Sequence, residues 1–140
     1  MLEELLKRSG IDYKKVDDSP EDMNTCIFHI ENDKEGPESS IRFIIVHDTQ
    51  QVAMYLFALK AVCYPRKTRA ELTRIANKLN CEIIHGTFMV LGRDKCLSFR
   101  ISHSLEKKDK LSSYQLLDYI GNAKYAINKA KSYDGGQDES

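Results

Sequence analysis

The sequence predicts an α+β domain built on an antiparallel sheet, and three observations carry that reading. Runs with period-two apolar alternation come as hairpins, through 26–59 and again through 83–102. Two capping boxes, Thr68 with Glu71 and Ser112 with Gln115, each open a stretch of helically spaced apolar residues. Few helices interrupt the strand runs, the pattern of an antiparallel layer backed by helices.

Leu2, Leu5 and Leu6 followed by Gly10 predict a short helix with a glycine stop. Residues 11–16 read as a short strand, and 17–22 as a turn rich in aspartate, serine and proline. In the strand 26–30, alternation turns Cys26, Phe28 and Ile30 inward and His29 outward. Residues 32–40, with Gly36 and Pro37, read as a polar loop. The strand 41–47 has Phe43 and Ile45 on one face and Ile44 and Val46 on the other, and 48–51 is a hairpin turn.

Residues 52–59 are apolar on both faces. Such a run is a strand covered on both sides, or a central strand whose second face meets a partner. A helix is the alternative for so short a run, and Tyr55 and Phe57 favour the strand.

Pro65 closes that segment, and Leu72, Ile75, Ala76 and Leu79 form one apolar stripe on a helix ending near Asn80. Residues 83–91 and 95–102 form a second hairpin around Gly92, with Ile84, Phe88 and Val90 set against Leu97, Phe99 and Ile101. A long last helix carries Leu116, Ile120, Ala123, Ile127 and Ala130. The predicted order is α-β-β-β-β-α-β-β-α, in one domain over 1–132 with a disordered C-terminal tail over 133–140.

Composition narrows the function. At 140 residues one core suffices without staples. Lys plus Arg equals Asp plus Glu at 21 each, so no global field draws nucleic acid or an anionic membrane. No apolar run reaches a membrane span, and the acidic start lacks the form of a signal peptide. Cys26, Cys63, Cys81 and Cys96 are scattered, so reduced thiols and a cytoplasmic location are expected.

The sequence carries no glycine-rich phosphate loop and no G-x-S-x-G serine. Cys26 and His29 fall on opposite faces of a strand, and Cys81 with His85 lacks two further ligands, so no metal or other cofactor is expected. His47, His85 and His103 lie on or beside strands, and Asp48 adjoins His47 but faces away from it on a strand; an enzyme or small-ligand domain would be built on these histidines. Arg66, Lys67, Arg69 and Arg74 form a basic cluster that reads as solvated charge, with nucleic-acid binding as its functional alternative.

Leu-Leu-Lys-Arg-Ser-Gly-Ile-Asp-Tyr at 5–13, the helix 70–80 with an asparagine near its end, and the hairpin 83–102 leading into a long amphipathic helix are three segments with a shared likeness. In their order and spacing they resemble the YbjN-like family of bacterial proteins. The resemblance spans about residues 1–131. It implies the fold of type III secretion chaperones and a role in sensory-transduction regulation, and it brings no catalytic residues. Those chaperones are typically acidic dimers, whereas this chain is neutral.

The expectation is therefore a non-enzymatic protein-binding or chaperone-like regulatory module. It would offer an apolar sheet surface, an edge strand or a homodimer interface to a protein or peptide. Met54, Tyr55, Phe57 and Met89 are the candidate contacts; the alternative is that all four pack in the core.

Overall fold

The computed structural model describes residues 2–16, 23–32, 36–48, 53–104 and 111–133. The elements are α1 (Leu2–Arg8), β1 (Lys14–Lys15), β2 (Met23–Asn32), β3 (Gly36–Asp48), β4 (Ala53–Cys63), α2 (Arg69–Glu82), β5 (Thr87–Val90), β6 (Cys96–Ser104) and α3 (Ser113–Lys131). They reproduce the predicted order. The strands form one antiparallel sheet in the order β1-β2-β3-β4-β6-β5. Helix α3 packs against β4 and β6, and α2 against β5 and β6.

Local chemistry sets the helix ends. In α1, Glu3 and Glu4 occupy the first turn and Lys7 and Arg8 the last, complementing the helix dipole. Gly10 at φ +70° then takes the left-handed turn open to glycine. Thr68 and Ser112 cap α2 and α3 through complete capping boxes, as their sequences require. The stripe Leu72, Ile75, Ala76 and Leu79 is buried, as are Leu116, Ile120, Ala123, Ile127 and Ala130.

One cluster unites these helix residues with Leu5 and Leu6 of α1 and with one sheet face. That face includes Cys26, Phe43, Ile45, Met54, Leu56, Ala58, Val62, Phe88, Leu97, Phe99 and Ile101. Tyr64, 1% exposed, donates its hydroxyl to the Ala130 carbonyl at 2.6 Å and ties α3 to the end of β4.

Several sequence expectations are corrected. The strand expected over 11–16 shrinks to Lys14–Lys15, because Ile11 and Tyr13 pack against the core instead. The loop expected over 32–40 is strand from Gly36 onward, and Gly36 pairs with Asn32. Paired strands satisfy each other's backbone groups without apolar side chains, so polar composition does not end a ribbon. Ile84 does not face the hairpin core but is 92% exposed. Helix α2 runs on to Glu82, and Gly86 at φ +89° redirects the chain, so the strand starts at Thr87. The turns expected at 17–22 and 49–51, and 134–140 of the tail, lie outside the described residues.

The expectation of four reduced thiols is also corrected, since Cys63 and Cys96 form a disulfide. The two residues are 33 apart in sequence, and the pairing of β4 with β6 sets them opposite each other. Cys26 is a buried thiol and Cys81 an exposed one. Next to the bridge β4 carries an irregularity, with four steps from Ala58 to Val62 against two from Phe99 to Leu97. Two extra residues preserve the pleat, so Val62 returns to the core face. Lys60 takes φ +48° there, and its N–H donates to the Ser98 hydroxyl at 3.0 Å.

Candidate functional site

Pleat alternation gives the sheet a second face, opposite the core. Register aligns its side chains in two rows. Ile27 pairs with Ile44, Ile44 with Phe57, Phe57 with Arg100 and Arg100 with Thr87. Beside it, Thr25 pairs with Val46, Val46 with Tyr55 and Tyr55 with Ser102. Ile27, Ile44, Val46, Tyr55 and Phe57 are all half-buried, and among the described residues they stand outside the core cluster. The Tyr55 and Phe57 rings stack with centroids 5.9 Å apart. Arg100, also half-buried, is a cation at the end of the apolar row.

The four candidate contacts divide. Tyr55 and Phe57 lie on this open face, and so does half-buried Met89, which pairs with Ser98 on β6. Met54 does not: at 4% exposure it is a core residue, because it has the parity of Leu56 and Ala58. Met54 is therefore removed from the candidate surface. Ile27, Ile44 and Val46 join it, and their outward parity on β2 and β3 was readable from the alternation.

The sheet edges are guarded. On β5 the backbone N–H of Phe88 donates to Asn80 Oδ1 at 2.7 Å, and its carbonyl accepts from Asn80 Nδ2 at 3.1 Å. The Asn80 carboxamide thus acts as the next strand would, occupying both groups of Phe88 with α2 in place. At the other edge, β1 is two exposed lysines, a charged and very short strand. β1 covers only Cys26 and Ile27 of the ten-residue β2, so this edge is guarded in part and the edge-strand route to a partner remains beside the open face.

The histidines are dispersed. His47 is 8% exposed; burial holds its imidazole below the ordinary value, against a smaller opposing effect of Asp48. Its Nδ1 is buried with no hydrogen-bond partner among the described residues. His103 Nδ1 bonds the Tyr119 hydroxyl, whose pKa burial raises. His85 is exposed, and the side chain of His29 lies outside the described residues. Among the described residues, no group of three or more His, Cys, Asp or Glu is placed to hold a metal ion.

The basic cluster is split by the fold. Arg69 donates to the Gly92 carbonyl at 2.6 Å, away from the others. Lys67 and Arg74 instead line a groove of about 250 Å³ with Glu71, Ile75, Lys78 and Tyr133. The Lys78 ammonium stands 5.2 Å from the centre of the Tyr133 ring. Its pKa is raised, first by the neighbouring Tyr133. The sequence places Tyr133 in the tail, but its N–H donates to the Ala130 carbonyl and its ring packs on the core.

Fold and site together define an α+β domain with an open apolar sheet face and a separate cationic groove. Comparison with family models, curated proteins and solved structures finds no match. Among the described residues, no helix is long and apolar enough to cross a membrane.

Proposed function

We propose that this chain is a non-enzymatic protein-binding module of the YbjN-like type, with a regulatory or chaperone-like role. One observation carries the reading: five large apolar side chains stand in register on a sheet face outside the core cluster. Leaving such residues half-exposed forgoes burial worth about 25 cal/mol per Å², so contiguous apolar patches mark interaction surfaces. The occupant that fits is a partner segment with apolar side chains along the Ile27–Ile44–Phe57 row and a carboxylate over Arg100. The resemblance of 5–13, 70–80 and 83–102 to the YbjN-like family, and through it to secretion chaperones, supports the same reading.

The test compares the wild-type chain with Ile44→Glu and Phe57→Glu, both first shown to keep a cooperative thermal transition. Each is used to capture proteins from the native cell lysate, and candidates are then purified and titrated back calorimetrically. The expected result is a protein that binds the purified wild-type chain at one to one and loses at least about tenfold in affinity with either variant, the equivalent of 1.4 kcal/mol. Partners that bind both folded variants as tightly as wild type would refute the open face as the recognition surface.

A further inference from the structure

We infer that the groove between α2 and Tyr133 binds a small multivalent anion of the phosphate class. Glu71, Arg74 and Lys78 recur at steps of three and four, which aligns them along one side of α2, and Lys67 joins them from just before the Thr68 cap. Among the described residues, the groove they line sets three cationic side chains against one carboxylate, a local excess of two positive charges. That carboxylate is already committed: Glu71 Oε2 accepts the Thr68 N–H at 2.8 Å and closes the α2 cap. Its charge therefore faces the start of the helix, where a negative group is favoured by the dipole.

The floor of the groove is rigid. Ile75 is 6% exposed and belongs to the core cluster, so the helix cannot roll to disperse the cations. Tyr133 comes from the end of α3, and the Lys129–Glu82 ion pair at 3.5 Å holds the two helix ends together. The Tyr133 ring then holds the Lys78 ammonium by a cation–π contact, which orders a side chain that is otherwise freely rotating. Arg74, one turn away, offers a planar fork suited to two phosphate oxygens.

A volume of about 250 Å³ and an excess of two charges suit a compact anion carrying two or three phosphate groups. The Lys78 ammonium stands 5.2 Å from the centre of the Tyr133 ring, so an anion drawn to it is recognised through its phosphates. Inorganic pyrophosphate and a nucleoside diphosphate share that chemistry, and the experiment separates them.

The full chain is titrated calorimetrically at low salt with pyrophosphate, tripolyphosphate and a nucleoside diphosphate, and in parallel with a single-stranded oligonucleotide. Pyrophosphate is expected to bind at one to one and to weaken as salt rises from 50 to 200 mM. The nucleoside diphosphate is expected to bind no more tightly. Arg74→Ala and Lys78→Ala should each weaken pyrophosphate by about tenfold or more, since charge-assisted hydrogen bonds are lost. Alanine at these exposed helical positions preserves the fold. Arg69→Ala, which leaves the groove intact, should change nothing. Absence of pyrophosphate binding, an oligonucleotide that binds where the small anions do not, or equal losses with Arg69→Ala and Arg74→Ala would each overturn the assignment.

Discussion

Replacing Asn80 with alanine tests how the sheet edge is closed. The side chain makes two hydrogen bonds to one strand residue, to the N–H and the carbonyl of Phe88. Each is worth about 1 kcal/mol net, and both backbone groups lose their partner together, so the direct loss is about 2 kcal/mol. Alanine is the better helix former at that position in α2 and recovers about 0.5 kcal/mol. The balance is about 1.5 kcal/mol. For 140 residues, an unfolding entropy of about 2.1 cal/mol/K per residue converts this to a fall in Tm of about 5 °C. Differential scanning calorimetry measures it, and Asn77→Ala, an exposed asparagine on the same helix, serves as the control with no fall expected. The freed edge should also self-associate at high concentration, visible by light scattering. An Asn80→Ala chain that melts within about 1 °C of wild type and stays monodisperse would show that water satisfies Phe88 and that Asn80 closes nothing.

Four further outcomes are expected. A Cβ on Gly86 would stand 2.2 Å from Phe99 Cζ with φ at +89°, whereas Gly92 at φ +67° has open space. Gly86→Ala should therefore abolish cooperative unfolding or lower its urea midpoint far more than Gly92→Ala, which costs about 1 kcal/mol of backbone strain. Tyr64→Phe removes one donor from the buried Ala130 carbonyl, which keeps the Tyr133 N–H, and should cost about 1 kcal/mol by urea unfolding, with little change in circular dichroism. Reducing the Cys63–Cys96 bridge opens a 33-residue loop and should lower stability by about 3–4 kcal/mol, an effect absent from Cys63→Ser. Thiol counting on protein quenched in the cell reports whether the bridge is formed there. His47 is held neutral by burial, below its ordinary value of 6.5. The unfolded chain then binds the extra proton first, so its stability contribution is complete above pH 6.5 and declines as pH falls through 6.5 toward the folded value. His47→Gln should flatten the stability profile between pH 7.5 and 5.5, and an unchanged slope would count against that cause.

The sequence by itself determined what depends on neighbours a few residues away. The capping boxes at Thr68 and Ser112, the buried stripes of α2 and α3, and the two parities of β3 follow from short-range geometry, and the structure reproduces them. The same alternation put Tyr55 and Phe57 on one face and Met54 on the other, but it could not say which face the helices cover. Tertiary structure alone decided that, because all three helices join one cluster with the Met54 face. It also decided the Cys63–Cys96 bridge, the Asn80 clamp on Phe88 and the arrival of Tyr133 beside Lys78. Each joins residues that are 8 to 55 positions apart, where no periodicity links one to the other. Such contacts are fixed by how strands and helices pack, and packing is a property of the whole chain.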